Sequence, residues 1–451
     1  MRPKFINTIL QFFILNAALL TLFSSCSVEK QIAHSAKTDV LDAKALETAH
    51  VGISIFDPAT NKYLYNYQGD KYFVPASNIK IPTCYSAMKY LGDSLVGLRY
   101  KDTLDFIVIK GSGDPTFLHP AFKNQPIYEF LKKGKRKILI NESGFDEKPL
   151  GNGWAWNDFR ENYMSERSIM PMYGNVARFQ GKLRSFKVTP KAFDSFIRLI
   201  DSNCCDLDNK EYFTRAWDDN SFYFRGDPNK NYSFEIPFHS KGYSVFLLND
   251  TLRNHEIHYV DYLGGFPLLV NTLNNLSKTI HSQPTDSLLK PMMHRSDNFF
   301  AEQSLLMVSN ERLGVMNDEK IIDTLLKTDF KDLPQKPRWA DGSGLSRYNL
   351  FTPQDFVFIL NKMKNEFGMD RLKVILPTGG EGTISSYYKT DSGYIYAKTG
   401  TLSGVVAFSG FLYTKKGKLL IFSTLVNNHQ ASATDVRRAI EKFIQGIRNK
   451  Y

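Results

Sequence analysis

The chain has 451 residues and a formal net charge of +11, with 57 lysine and arginine residues against 46 aspartate and glutamate residues. A chain of this length exceeds one ordinary domain and is long enough to bury a large core. The positive charge is spread along the chain and accompanies no nucleic-acid-binding motif, so we expect no nucleic-acid partner. Four cysteines, three of them after position 26, exclude a disulfide framework.

Residues 1–25 have the pattern of a bacterial secretory signal. A basic start is followed by the apolar run Phe12–Phe23, whose 12 residues are too few to span a membrane. Small residues before Cys26 resemble a lipobox, which predicts that Cys26 is lipidated and becomes the new N-terminus. Residues 26–47 are polar, which predicts a tether between the lipid anchor and the folded part of the chain. We therefore expect a membrane-anchored lipoprotein in the bacterial periplasm, with an ordinary secretory signal as the alternative.

The first predicted element after the tether is a β-hairpin. Strand-like residues 51–56 and 62–67 flank the turn-forming residues 57–61. A helix is predicted next, because Pro75-Ala76 precedes Ser77 and an apolar stripe continues through Met88, Leu91 and Leu95. Pro82 lacks a backbone N–H, so we expect a tightened or kinked first turn.

The middle of the chain is predicted to be a long insertion. Between Lys80 and Ser296 lie 215 residues, and residues 102–285 are rich in strand-like runs. These runs are 106–109, 179–188 and 243–248. We expect a β-rich accessory module at 102–285 that splits a catalytic domain made of residues 48–101 and 286–451.

The C-terminal part predicts a second hairpin and a closing helix. Residues 404–413 and 419–426 read as the two strands of the hairpin, and residues 433–448 read as an amphipathic helix. Its apolar stripe comprises Val436, Ile440, Phe443 and Ile447. The two ends of the chain are therefore expected to share one antiparallel sheet flanked by helices, an α/β (α+β) fold.

Three short motifs in a fixed order carry the chemistry. They are Ser77-Asn78-Ile79-Lys80, Ser296-Asp297-Asn298 and Lys398-Thr399-Gly400. A serine hydroxyl is a poor nucleophile at neutral pH, and a lysine activates it only if burial and nearby cations lower the lysine pKa toward about 7–8. Ser77 is the predicted nucleophile, Lys80 its base, and Lys398 the neighbouring cation.

The remaining site residues are assigned from the same chemistry. Ser296 would relay the proton to the leaving group, and Asn298 would hold a peptide carbonyl or order Lys80. Lys398 and Thr399 would bind the terminal carboxylate of the substrate. Backbone N–H groups of Ser77 and Thr401 would form the oxyanion hole. No metal or cofactor is expected.

Six short sequence blocks resemble those of the class C penicillin-binding proteins and occur in the same order along the chain. This is the D-alanyl-D-alanine carboxypeptidase/endopeptidase family that includes penicillin-binding protein 4. The blocks are 75–80, 111–115, 153–156 with Asp158, 341–347, 376–377 with 382–383, and 398–402. The resemblance implies a serine β-lactamase/transpeptidase-like domain that cuts peptidoglycan stem peptides through an acyl-Ser77 intermediate and is inhibited by β-lactam antibiotics.

Two segments depart from the family pattern: residues 385–389, where arginines are usual, and residues 171–175. Asp297 and Ser343 are interpreted as structural.

A serine β-lactamase and a non-catalytic cell-wall-binding lipoprotein are the two alternative functions. A serine β-lactamase has a similar constellation but deacylates quickly, and a non-catalytic cell-wall-binding lipoprotein keeps the fold alone. His255 and His258 lack the His-Glu-x-x-His spacing and are interpreted as an exposed pair without a metal. The state of the adjacent Cys204 and Cys205 is left open.

Overall fold

The computed structural model describes residues 28–134, 137–200, 212–253, 260–265, 276 and 278–451. The predicted signal peptide, Cys26, the Cys204-Cys205 pair, His255 and His258 lie outside the described residues. The chain forms two compact units. The first unit contains the residues up to Asn78 together with Leu333–Arg338 and Leu350–Tyr451, and the second unit contains Ile79–Asp332 and Trp339–Asn349.

The described part of the chain contains both strands and α-helices. The strands are β1 (His50–Asp57), β2 (Lys62–Tyr67), β3 (Ser94–Asp102), β4 (Phe106–Gly111), β5 (Lys137–Ile140), β6 (Val176–Lys182), β7 (Lys187–Thr189), β8 (Ile197–Leu199), β9 (Tyr212–Arg215), β10 (Phe222–Arg225), β11 (Asn231–Pro237), β12 (Val260–Tyr262), β13 (Lys278–Pro284), β14 (Ile395–Leu402), β15 (Val405–Tyr413) and β16 (Leu419–Asn427). The helices are α1 (Lys80–Tyr90), α2 (Pro126–Lys132), α3 (Ser244–Leu252), α4 (Thr285–His294), α5 (Asn298–Leu313), α6 (Asp318–Lys327), α7 (Pro353–Ile375) and α8 (Ala433–Lys450). None of the helices in the described part of the chain is both long and apolar enough to cross a membrane.

The first unit is built on one five-stranded sheet in the order β14-β15-β16-β1-β2. Every neighbouring pair in it is antiparallel. Both predicted hairpins and the sheet shared by the two ends of the chain are therefore confirmed. The predicted closing helix is α8, and its predicted stripe is buried against the sheet.

The N-terminal segment from residue 28 onward is folded onto this same core. Residues 28–36 are helical and lead into a π-helical turn, Lys37–Leu41. Ile32, Ala36, Val40 and Leu46 are buried in the cluster that contains the stripe of α8. The larger of these side chains contribute about 1.5–3 kcal/mol each when fully buried. This part of the predicted tether is thus a packed element of the first unit.

The second unit holds the described residues of the predicted insertion, 102–285, together with α1 and α4 to α6. It contains a five-stranded sheet in the order β12-β5-β4-β3-β13 and two three-stranded sheets, β8-β10-β9 and β11-β6-β7. Closely packed phenylalanine rings fill the core between these elements, including Phe179, Phe222 and Phe224. The boundaries of the insertion itself stay a prediction.

Three predictions of local structure need correction. Residues 243–248 were expected to be strand-like but lie mainly in helix α3, because a short apolar run fits a buried helix as well as a buried strand. The run 179–188 is split by a turn between β6 and β7. Helix α1 ends at Tyr90, so Leu95 belongs to β3 and not to the helical stripe.

Candidate active site

Ser77 lies in a tight turn at the start of α1. Residues Ala76–Ile79 form a 3₁₀ turn that runs directly into the helix, and the Asn78 N–H donates to the Pro75 carbonyl at 3.1 Å. Pro82 is the third residue of α1, where a backbone N–H has no acceptor within the helix. The predicted tightened first turn is confirmed, and Pro82 is accommodated without loss of a helical hydrogen bond.

The backbone of Ser77 lies beside strand β14 in the first unit. A Cβ placed on Gly400 would be 2.7 Å from the Pro75 carbonyl oxygen and 3.0 Å from the Ser77 nitrogen. Only glycine therefore permits this approach. The Asn78 side-chain amide donates to Ser409 Oγ on β15 at 2.7 Å and holds the turn against the sheet. The predicted oxyanion donors, the N–H groups of Ser77 and Thr401, thus belong to neighbouring backbone segments.

The predicted anion-binding residues all lie on β14. Lys398 is fully buried, and its Nζ donates to the Thr399 carbonyl at 2.7 Å. Thr399 and Thr401 are two residues apart and share one side of the strand. Thr399 Oγ1 donates to Thr383 Oγ1 at 2.7 Å, and Thr401 Oγ1 accepts from Arg437 at 2.5 Å.

Lys80 is completely buried in the second unit. Its Nζ donates to Asn298 Oδ1 at 2.6 Å and to the Ser343 carbonyl at 2.7 Å. These contacts bring together Lys80 and Asn298, as expected of a residue that orders the base. The structural role predicted for Ser343 agrees with this contact, in which Ser343 contributes a backbone carbonyl that its residue type does not reveal.

Burial lowers the pKa of Lys80 to about 8. The carboxylates of Asp341, Glu302 and Asp297 oppose this effect, because they favour the charged ammonium. A substantial neutral fraction at neutral pH is what a general base requires. Lys398 belongs to the other unit, and its predicted influence on this pKa stays a prediction.

Glu302 is a buried acid that belongs to none of the three motifs and interacts electrostatically with Lys80. The Ser343 N–H donates to Glu302 Oε1 at 2.7 Å, while the Ser343 carbonyl accepts from Lys80. Burial and the charge of Asp341 raise the pKa of Glu302 to about 8. The Arg167 guanidinium lies 3.5 Å from Glu302 Oε2 and opposes that rise. Ser343 thus connects the base to a carboxyl group with a similar pKa.

The second motif forms a turn at the start of α5. Ser296 has a left-handed backbone with φ of 60°, and Asp297 caps the helix by accepting from the Phe300 N–H at 3.0 Å. The structural role predicted for Asp297 agrees with this cap. Asn298 also donates to the Tyr163 carbonyl at 3.1 Å. Its two amide contacts leave the side chain in one defined orientation.

A cavity of about 550 Å³ opens beside Ser296 within the second unit. Its polar lining includes Asn162, Arg178, Glu235 and Arg295. Arg178 and Glu235 form an ion pair at 2.8 Å. Within the described ranges, no cluster of three or more His, Cys, Asp or Glu side chains suitable for a metal is found.

The comparison with protein families agrees with this geometry. The model of the D-Ala-D-Ala carboxypeptidase 3 (S13) family matches residues 33–447. The chain belongs to this family. As a member of the S13 family it is a serine peptidase, a hydrolase of the D-alanyl-D-alanine carboxypeptidase type, and the family resemblance inferred from the six blocks is confirmed.

Relatives of known type match over nearly their whole length. The D-alanyl-D-alanine carboxypeptidase DacB of Haemophilus influenzae is 25% identical over 462 residues, covering 91% of this chain and 92% of the relative. A D-alanyl-D-alanine carboxypeptidase of Actinomadura sp. (strain R39) is 25% identical over 445 residues, covering 87% and 80%. The match therefore extends through the insertion as well as the catalytic motifs.

A solved structure shares the fold. The crystal structure of penicillin binding protein 4 (dacB) from H. influenzae superposes with a TM-score of 0.70 at 21% identity, covering 92% of this chain and 98% of that chain. The predicted fold class is confirmed. This S13 chain therefore has the architecture of a penicillin-binding protein, with α and β elements mixed in both units.

Proposed function

We propose that this protein is a serine D-alanyl-D-alanine carboxypeptidase/endopeptidase that acts on peptidoglycan stem peptides through an acyl-Ser77 intermediate. The observation that carries the proposal is the state of Lys80. This lysine follows Ser77 by three residues, is fully buried, is held by Asn298 and Ser343, and has its pKa lowered to about 8. A buried lysine in that state is suited to removing a serine proton.

In the proposed acylation step, neutral Lys80 accepts the proton of Ser77 Oγ as the oxygen attacks the carbonyl carbon of the penultimate D-alanine. The negative charge on the carbonyl oxygen is stabilised by the N–H groups of Ser77 and Thr401, at about 3–4 kcal/mol per donor. The peptide C–N bond then breaks. Ser296 passes the proton from Lys80 to the leaving amine, which departs as free D-alanine or as the other strand of a crosslink.

Deacylation reverses the proton transfers. Water attacks the ester carbonyl of acyl-Ser77, and Lys80 accepts a proton from that water. The ester bond to Ser77 Oγ breaks, the serine oxygen regains a proton, and the shortened peptide leaves with a new carboxylate. Lys398 and Thr399 bind the terminal carboxylate of the substrate, and Asn298 keeps Lys80 in its reactive position.

The same groups account for the proposed binding of β-lactam antibiotics. Attack of Ser77 on the strained lactam carbonyl forms an ester while the ring nitrogen leaves but stays attached to the acyl group. A crystal structure of penicillin binding protein 4 from H. influenzae complexed with a novel β-lactam, TM-score 0.66 and 19% identity, supports the proposal by fold.

The test is the intact mass of the soluble fragment 27–451 after brief exposure to benzylpenicillin. We expect a persistent adduct that is absent from Ser77→Ala and present in Ser385→Ala, a control at an exposed serine. An adduct that persists in Ser77→Ala contradicts the choice of nucleophile. Rapid loss of adduct with drug turnover indicates a β-lactamase, and absence of adduct indicates a non-catalytic cell-wall-binding protein.

We also propose that Cys26 is lipidated and anchors the protein to a membrane facing the periplasm. The signal-like residues 1–25 and the small residues before Cys26 support this. The Val28 carbonyl already accepts from the Tyr451 hydroxyl at 3.1 Å, so the anchor would hold the first unit close to the membrane. Metabolic labelling with a fatty-acid analogue should mark the full chain and not Cys26→Ala; equal labelling of both would contradict the site.

A further inference from the structure

Arg437 reaches strand β14 from helix α8. Its Nη2 donates to Thr401 Oγ1 at 2.5 Å, and both residues belong to the first unit. The side chain is half-buried, with its guanidinium 6.0 Å from the centre of the Tyr387 ring. Arg437 and Thr399 also line one small cavity of about 20 Å³. The guanidinium therefore faces the side of β14 that carries Thr399 and Thr401.

Among the described residues, no acid forms an ion pair with Arg437. Within the part of the chain that the structure describes, no carboxylate lies within 4 Å of its guanidinium. The adjacent Arg438 differs, because it pairs with Glu441 at 2.5 Å. A half-buried cation without an acidic partner, beside hydroxyl groups, is arranged to receive an anion.

Thr401 connects this cation to the strand. A threonine hydroxyl has one proton to donate and two acceptor sites. Because Thr401 Oγ1 accepts from Arg437, the hydroxyl proton remains available to a second acceptor. Arg437 and Thr401 can thus hold one carboxylate between them, each by a hydrogen bond, with the guanidinium supplying the charge.

We propose that Arg437 is a substrate-binding residue that recognises the carboxylate next to the leaving amine, together with Thr401. This inference rests on the proposed function, since it names how that same reaction selects its substrate. Lys398 supplies a buried cation on β14 for the same anion, and Arg437 supplies a second one from α8. The site therefore prefers peptides that end in a free D-alanine carboxylate over peptides whose terminus is an amide.

The experiment compares two peptides that end in D-Ala-D-Ala, one as the free acid and one as the C-terminal amide. Arg437→Gln should lower kcat/KM for the acid by about tenfold to a hundredfold, the size of a lost charged hydrogen bond, and change kcat/KM for the amide by less than about twofold. Arg438→Gln, a matched control on the same helix, should leave both values unchanged. Arg437→Lys should restore part of the preference for the acid.

A second pair of ligands gives an independent readout. Acylation of Ser77 by benzylpenicillin, which carries a carboxylate, should slow in Arg437→Gln, and acylation by its methyl ester should not. Equal loss with acid and amide, or an unchanged acid preference, overturns the role of Arg437. Failure of the unaltered protein to cleave either peptide and to form the Ser77 adduct overturns the proposed function instead. Thermal unfolding of each variant identifies a loss that is merely structural.

Discussion

Lys80 must be neutral to act as a base, and its surroundings determine the pH at which this happens. Burial lowers its pKa to about 8 from the ordinary value of 10.5. The neutral form therefore predominates above about pH 8 and falls about tenfold per pH unit below it. We expect the rate constant for acylation by benzylpenicillin to rise between pH 6 and 8 and to level off above that. A rate independent of pH over this range would contradict the role of Lys80.

Glu302 provides a control for that assignment. Glu302 itself ionises near pH 8, and its negative charge then favours the charged form of Lys80, so Glu302→Gln should move the upper part of the pH profile to lower pH. The glutamine oxygen can still accept from the Ser343 N–H, which keeps the geometry. Glu147→Gln removes another acid that pairs with Arg167, at 3.0 Å, and should leave the midpoint where it is. If the pH profile shifted equally in both variants, the shift would reflect the loss of any nearby negative charge and not a specific effect of Glu302 on Lys80.

The nucleophile, base and anion-binding residues are predictions from three motifs, and the basis for them is the order in which these side chains follow one another along the chain. Ser343 and Arg437 could not be predicted in the same way. Ser343 acts through its carbonyl, which every residue has, and Arg437 meets Thr401 only because α8 packs on β15 and brings the two near each other. Such roles depend on packing, and the order of residues along the chain does not show them.

At the level of elements, the approach of β14 to the Ser77 turn depends on Gly400. Gly400→Ala would place a methyl group 2.7 Å from the Pro75 carbonyl oxygen and 3.0 Å from the Ser77 nitrogen. Both are backbone atoms, so the turn must shift. A displacement of about 1 Å at a reacting group costs on the order of a hundredfold in rate. We expect acylation by benzylpenicillin to slow by about that factor.

The control for Gly400 is a glycine with room for a side chain. Gly446 lies within α8, and the nearest atom to its added Cβ would be 4.0 Å away. Gly446→Ala should therefore leave acylation unchanged and favour the helix slightly, since alanine is the better helix former by about 1 kcal/mol. Slowing of acylation in both variants would point to a general effect of substitution, and slowing in neither would show that the turn tolerates the shift.

Elements near the ends of the chain were predicted better than those of the insertion. The hairpins β1-β2 and β15-β16 are local, and turn-forming residues mark their loops. The apolar run 243–248 lies mainly in α3, and its two buried leucines, Leu247 and Leu248, suit a buried strand as well as a buried helix. The assignment of α1 and α4 to α6 to the same unit as the insertion depends on long-range packing, for which the sequence contains no comparable signal.

At the scale of the whole molecule, the first described residues and the last helix pack together. The Tyr451 hydroxyl donates to the Val28 carbonyl at 3.1 Å, and Lys442 pairs with Asp39 at 2.9 Å. Ile32 is fully buried in the shared cluster. A tether contributes nothing to the stability of the unit that it anchors, whereas a packed segment contributes in proportion to the apolar surface it buries.

This difference predicts the effect of a substitution far from any catalytic motif. Ile32→Ala should lower the free energy of unfolding by about 2–5 kcal/mol, the usual cost of removing a large buried side chain. Lys30→Ala, at an exposed position two residues earlier, should change it by less than about 0.5 kcal/mol. Urea unfolding measures both, and acylation of the folded protein by benzylpenicillin should be equal in the two variants. If Ile32→Ala were as stable as Lys30→Ala, the segment would act only as a tether, and the shared core of the two chain ends would not contribute to the fold.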